Sequence, residues 1–195
     1  MNKQDVITFF DHYASTWDAD MIRNESVINT ILDNGGVTTD CTVLDVACGT
    51  GVLFPDYLQR NVKSVTAVDI SPEMTRIASR KYPGSPIHVI CGDIETLSLD
   101  QEFDCCMVYN AFPHFPDPKH LIAVLASHLK PGGILSVAHG MSRERINRHH
   151  EGRASKVSMG LLSEQELSNI FAQYLEVTTV ISDDTMYQVC GRKPI

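Results

Sequence analysis

Three aspartates, Asp45, Asp69 and Asp93, each fall near the end of one of three successive strand-like runs. The first sits in a turn, residues 44–51, that carries Gly49 and Gly51. Glycines there remove side chains where a ligand must approach the backbone, and a helix expected to begin at Gly51 would offer unpaired N–H groups. Such a turn suits any nucleotide, and the acids narrow the choice. Carboxylates brought to one cleft repel a pyrophosphate, whereas they accept from a ribose diol and an ammonium and complement a sulfonium. Asp69 lies about 20 residues beyond the turn, the spacing of a ribose contact. A lone aspartate is more often a helix cap or a solvated turn residue; three at successive strand ends favour a shared cleft.

Two other nucleotide sites fail on residue type. A dinucleotide turn wants a third small residue where this chain has Phe54, which disfavours a nicotinamide-dependent oxidoreductase. A phosphate-binding loop wants a lysine after its glycines, and none occurs between Thr38 and Gln59.

The elements that must position these residues are legible as an alternation of β-branched runs with amphipathic stretches, which implies an α/β fold with a mostly parallel sheet. Strands are expected over 42–47, 64–70, 87–91, 103–109 and 134–139, with helices over 51–60 and 117–130. Another helix opens at Ser71-Pro72-Glu73, with an N-cap, a first-turn proline and an acid. Leu121, Ile122, Leu125 and Leu129 form the apolar stripe of the 117–130 helix, and Lys130-Pro131-Gly132-Gly133 reads as its stop. Ser163-Glu164-Gln165-Glu166 is a capping box for a helix to about Gln173, and the runs 176–181 and 186–192 read as a final antiparallel pair.

The 195 residues, 43% of them hydrophobic, suffice for one domain and one core. The formal charge of −8 argues against a nucleic-acid partner. No run approaches the ~20 apolar residues of a membrane span, and the opening MNKQDVITFF lacks the order of a secretory signal. A cytoplasmic protein without membrane contact is therefore expected. The six cysteines show no C-x-x-C pairing and read as free buried thiols.

With these residues in place, the sequence resembles the class I S-adenosylmethionine-dependent methyltransferases, in their small-molecule, quinone- and menaquinone-methyltransferase-like branch. Five segments match in order: VLDVACGTG, AVDISPEM, CGDIETL, FDCCMVYNAFPHF and LKPGGIL. The resemblance implies a Rossmann-like doubly wound sheet, seven-stranded and mostly parallel, with the last strand antiparallel. It implies a single methyltransferase domain over 1–195. Its parts would be a helical cap (1–40), a cofactor-binding core (41–139), an acceptor-side lid (140–162) and a C-terminal helix with two strands (163–195). S-adenosylmethionine would be the cofactor and S-adenosylhomocysteine the product. By the same resemblance Asp45 and the backbone of Ala47, Cys48, Gly49 and Gly51 would hold the methionine part. Asp69 would take the ribose, and Asp93 with Ile94 the adenine, whose ring Ile70 and Met74 would flank. Ala47 stands where many members have glycine, a replacement tolerated at negative φ. FFDHYASTWD resembles the helix with which small-molecule members cover the site, so Tyr13 and Trp17 would close over the cofactor.

Methyl transfer from a sulfonium is an in-line displacement in which positioning does most of the work, and a base is needed only for a protonated acceptor. Asn110, also expected near the cofactor, and His114 follow the fourth strand, where Asn110 could present its carbonyl to an acceptor and His114 could act as base. Ala111 and Phe112 replace both prolines of the amino-directed nucleic-acid methyltransferases. The segment MSRERINRHHEGRASK adds His149, His150 and four arginines, with His139 just before it. Together with Asn110 and His114, these three histidines complete the acceptor-side candidates. Arg143, Arg145, Arg148 and Arg153 suit a lid that receives an anionic acceptor. Alternatively His139, His149 and His150, with Glu151 or His114, could bind a metal, although adjacent histidines on a helix point about 100° apart. Plain solvation of a basic face is the third reading, and the expected site contains no metal. A metalloid site at Cys91, Cys105 and Cys106 is disfavoured because alternating faces separate the last two. The expected activity is methyl transfer to a small molecule; a noncatalytic S-adenosylmethionine-binding regulator is the alternative, and a metal- or metalloid-linked enzyme a further one.

Overall fold

A computed structural model describes residues 1–19, 21–150 and 156–195, without the side chains of His149 and His150. Seven strands form one sheet: β1 (Thr42–Val46), β2 (Ser64–Asp69), β3 (Ile87–Cys91), β4 (Phe103–Tyr109), β5 (Leu129–His139), β6 (Glu176–Ser182) and β7 (Tyr187–Arg192). Their spatial order is β3-β2-β1-β4-β5-β7-β6, and β7 runs antiparallel to both neighbours while the remaining pairs are parallel. This is the doubly wound, Rossmann-like α/β fold expected. The order reverses at β1, so the carboxyl ends of β1 and β4 border the crevice where such sheets bind ligands.

Strand alternation divides the core into two layers. Leu44, Val46, Cys106 and Val108 face one side with Leu121, Ile122 and Leu125 of α5 (Pro118–Ser127) and Leu167 and Phe171 of α7 (Glu164–Phe171). Val43, Cys105 and Met107 face the other with Ile28, Ile31 and Leu32 of α2 (Glu25–Asn34) and Phe54 and Tyr57 of α3 (Phe54–Gln59). α1 (Lys3–Tyr13) and a 3-10 turn at Ala14–Thr16 lie against α4 (Pro72–Lys81), and α6 (Arg143–His150) follows β5. Among the described residues no helix is long and apolar enough to cross a membrane.

Local caps form as their residue types dictate. The Ser71 hydroxyl accepts from Met74 N–H at 3.1 Å, and Ser163 with Glu166 makes the full capping box. Most boundaries shift by one or two residues, and two differ for a clear physical reason. α3 begins at Phe54 rather than Gly51, because Gly51 is left-handed (φ 85°) and cannot open a helix. The 117–130 helix ends at Ser127, because Leu129 is fully buried and pairs with Phe103 as the first residue of β5.

Lys130-Pro131-Gly132-Gly133 is therefore a bulge within β5, between the Phe103↔Leu129 and Cys105↔Ile134 pairs, where proline interrupts no ladder bond. Two bonds to Lys193 hold it, Gly132 N–H to Lys193 O at 2.9 Å and Lys193 N–H to Gly133 O at 2.8 Å. A Cβ on Gly133 would lie 2.9 to 3.1 Å from the carbonyl oxygens of Phe103, Lys130 and Asp104, all rigid backbone. Gly133→Ala is expected to lower stability by about 2 kcal/mol, the scale of overpacking, read as a lower urea midpoint; an unchanged midpoint would show that the bulge yields.

Candidate active site

The turn after β1 holds the first candidates. Asp45 is 2% exposed, and among the described residues its Oδ2 has no hydrogen-bond partner. Burial, and then the nearby Asp69 carboxylate, push Asp45 up to about 8, a shift that Tyr57 opposes. Asp69 is also raised by burial, but its oxygens are engaged: Oδ2 accepts from Gly49 N–H at 2.8 Å and Oδ1 from Ser71 N–H at 2.9 Å. Two nearby buried carboxylates, one with an oxygen left open, fit a cationic, hydroxyl-bearing ligand.

Ala47 corrects the sequence reading, which placed it at negative φ. Its φ is 53°, because the chain must reverse sharply for Cys48 N–H to reach Val68 O at 3.1 Å, and a left-handed alanine costs roughly 1–2 kcal/mol. Gly49 (φ 56°) leaves room above the turn, since an added Cβ would meet nothing closer than Trp17 Nε1 at 4.0 Å. Gly51 serves packing: a Cβ there would strike the Phe54 ring at 2.5 Å. The same Phe54 that argues against a dinucleotide is the side chain filling this space.

α1 and the turn that follows it cover this end of the sheet through polar anchors that were not foreseen. Asp11 Oδ1 accepts from Ser71 Oγ at 2.5 Å and from Glu73 N–H at 3.1 Å, linking α1 to the start of α4. Asp18 accepts from Thr50 Oγ1 at 2.5 Å and pairs with Lys81 at 2.6 Å. Phe10 contacts Trp17 and His114 edge-on, with centroids 5.5 and 4.9 Å apart, and packs in a small cluster with Val6, Phe9, Ile70 and Val157. Tyr13 and Trp17 are half-buried in this cover, with Tyr13 against Phe9, while Met74 and Ile94 are buried. The one sequence hint to the anchors is that Asp11 and Asp18 lie two helical turns apart in FFDHYASTWD.

Asp93 is engaged by the same cover. Lys3 Nζ lies 2.5 Å from its Oδ2 and 2.7 Å from Glu95 Oε2, so the carboxylate assigned to adenine already holds an ammonium. Asn110 (φ 55°) differs from expectation: its Oδ1 accepts from Gly140 N–H at 3.0 Å, so the carbonyl expected to meet an acceptor is bound to the backbone. His114 Nδ1 lies 2.7 Å from Val157 O, and since a carbonyl only accepts, Nδ1 carries the proton; burial lowers the ring's pKa.

The other acceptor-side candidates are less convergent. His139 is buried at the end of β5, with its ring 6.2 Å from that of Tyr187. Arg143 donates to Leu161 O at 3.1 Å, tying α6 to the chain after it, while Arg145 and Arg148 are exposed. Glu151 and Arg153, and the side chains of His149 and His150, lie outside the described residues. Among the described residues no three His, Cys, Asp or Glu side chains converge as a metal requires.

Comparison with known proteins meets this geometry. Residues 44–137 match a family model described as methyltransferase domain. The malonyl-[acyl-carrier protein] O-methyltransferase of Priestia megaterium is 31% identical over 139 residues, covering 69% of this chain and 51% of that protein. The ubiquinone biosynthesis O-methyltransferase of Xanthomonas campestris is 37% identical over 97 residues, 48% of this chain and 40% of the relative. The chain thus spans about half the length of the curated relatives it matches. N-methyltransferase NodS of Bradyrhizobium japonicum, solved with S-adenosyl-L-homocysteine, superposes with a TM-score of 0.76 at 17% identity, over 97% of this chain and 98% of that one.

Asp45 gives the site a pH signature. With its folded pKa raised from 3.8 to about 8, the folded chain keeps a proton that the unfolded chain releases between those values, so stability is fullest below the lower and falls as pH rises toward the upper. Asp45→Asn is expected to remove that decline and melt higher than the parent at pH 8. Parallel melting profiles against pH for the two proteins would refute the assignment.

Proposed function

The chain belongs to the class I S-adenosylmethionine-dependent methyltransferases, and from that premise we propose that it methylates an oxygen of a small-molecule acceptor. The observation that carries the reading is the pair of buried carboxylates beside a left-handed, glycine-bearing turn at the switch point of the sheet. The oxygen specificity is supported by the names of the two curated relatives, both O-methyltransferases.

The bound cofactor supplies a methyl group activated by its attachment to a positively charged sulfur. Asp45, proton-bearing in the free protein, would ionise to receive the ammonium, and the 47–49 backbone, Cys48 included, would line the methionine part. Asp69 would accept from the ribose hydroxyls while keeping its bonds to Gly49 and Ser71. Asp93 and Ile94, with Ile70 and Met74, would form the adenine end, where Lys3 competes for the Asp93 carboxylate. Phe10, Tyr13 and Trp17 would exclude water, and burial strengthens every charge interaction beneath them.

On the acceptor side, His114 is the proposed base. With Nδ1–H committed to Val157 O, the neutral ring has its basic lone pair on Nε2, and the lowered pKa keeps that nitrogen deprotonated at neutral pH. An acceptor hydroxyl would lose its proton there as the new C–O bond forms. A carboxylate acceptor would need no base and would draw instead on the exposed Arg145 and Arg148.

Incubation with S-adenosylmethionine and a panel of phenols and carboxylic acids, followed by mass spectrometry, is expected to yield S-adenosylhomocysteine and an O-methyl product with at least one acceptor. Tight binding without turnover of any acceptor would favour a noncatalytic regulator. Asp69→Ala is expected to weaken S-adenosylhomocysteine binding by about 2 kcal/mol through lost ribose hydrogen bonds; unchanged calorimetric affinity would show the pose to be wrong. His114→Gln is expected to lower kcat about 100-fold on a phenolic acceptor while leaving that affinity intact. A variant with full kcat would remove His114 from the chemistry.

A further inference from the structure

Lys3 opens α1 with its charge at the unfavourable end of a helix. The first turn leaves N–H groups unpaired and carries the positive end of the helix dipole, so an ammonium there needs carboxylates outside the helix to receive it. Two do so. Lys3 Nζ lies 2.5 Å from Asp93 Oδ2 and 2.7 Å from Glu95 Oε2, and the Glu95 side chain is 5% exposed. Both acids stand in the turn after β3, where Asp93 Oδ1 accepts from Glu95 N–H at 3.1 Å and Asp93 O accepts from Leu97 N–H at 2.8 Å. One oxygen of Asp93 is thus held by its own turn and the other by Lys3.

α1 rises about 12 Å from Lys3 to Asp11 and is fastened near both ends, by Lys3 to the turn after β3 and by Asp11 to Ser71 and Glu73 after β2. Between these anchors Val6, Phe9 and Phe10 pack with Ile70. The helix therefore joins the two strand ends to which adenine is assigned, and it offers the assigned carboxylate an N–H donor, the same kind of group that the base would bring. A charged donor bonds a carboxylate more strongly than a neutral amine does. An incoming amino group gains Asp93 Oδ2 at the expense of Lys3, and Glu95 keeps that loss small by remaining as the second acceptor.

We propose that Lys3 sets the base selectivity of the cofactor site by standing in for the adenine amino group on Asp93, so that the site discriminates weakly between purines with and without that group. The inference rests on the proposed function, in which Asp93 meets the base. A purine that carries the amino group donates to Asp93 and moves Lys3 onto Glu95 alone, so part of the new bond is offset by the one it replaces. A purine that lacks the group leaves Lys3 between its two acids and loses little. Without Lys3, the Asp93 oxygen would be open in the free protein, and the amino group would contribute its full hydrogen bond. Without the Glu95 charge, Lys3 would hold Asp93 more tightly, and the amino group would contribute less.

The test is calorimetric titration of the full chain with S-adenosyl-L-homocysteine and with its 6-deamino analogue, in which hydrogen replaces the amino group of the base. The ratio of the two affinities measures what the amino group contributes, and a loosened α1 would shift both affinities without moving that ratio. Lys3→Met is expected to raise the ratio about tenfold, and Glu95→Gln to lower it about threefold. A ratio that stays at the parent value in either variant, or moves the opposite way, would overturn the inference while leaving the cofactor assignment intact. Failure of the parent chain to bind S-adenosyl-L-homocysteine would overturn the cofactor assignment itself, and this inference with it.

Discussion

The carboxylate of Asp69 is shared between two turns. One oxygen holds the Gly49 N–H after β1 and the other holds the Ser71 N–H before α4, so neighbouring strand ends are fastened to each other through a single side chain. Everything around the cleft builds on that bond pair. Ser71, once positioned, caps α4 through Met74 and donates to Asp11 on α1, and Asp11 also receives the Glu73 N–H. The cover over the cleft is thereby attached to the same carboxylate that borders its floor. A small displacement of Asp69 would be felt at the turn, at a helix start and at the cover together.

Asp45 is the counterpart of that economy. It lies one strand away, buried, and among the described residues its Oδ2 has no partner, a condition that proteins hold at a cost to stability when a ligand is to satisfy it. Ala47 adds local backbone strain to the same turn. Stability is thus concentrated in the caps, the two core layers and the sheet ladder, and withheld from the few residues that face the cleft.

What could be read from the sequence follows the range of the interactions involved. β3 and β4 match expectation at both ends because their apolar runs are bounded by turn residues, and the Ser71 and Ser163 caps were visible because a cap is made within four residues of itself. Leu129 shows the limit: its spacing continues a helical stripe, yet pairing with Phe103 across the sheet overrides it. Ala47 shows another, since no residue type announces a left-handed alanine; the bond from Cys48 to Val68 imposes it. Lys3 and Asp93 are separated by 90 positions and meet only once the chain has folded. Strand-end acids and glycines made the cofactor side readable, whereas the acceptor side depends on the packing of α1, His114 and Val157.

The insertion of β7 between β5 and β6 has a consequence for how the chain is made. β6 emerges from the ribosome before the strand that will be its sheet partner, and until β7 threads into place β5 keeps an unpaired edge facing a detached β6. Exposed Val177 and Val180 lie on that waiting strand. Vectorial synthesis can therefore assemble β1 to β5 in order, but the final hydrogen-bonded ladders close together, after translation has passed Arg192. An exposed apolar strand waiting for a nonlocal partner is the interval most open to misassociation and to chaperone capture.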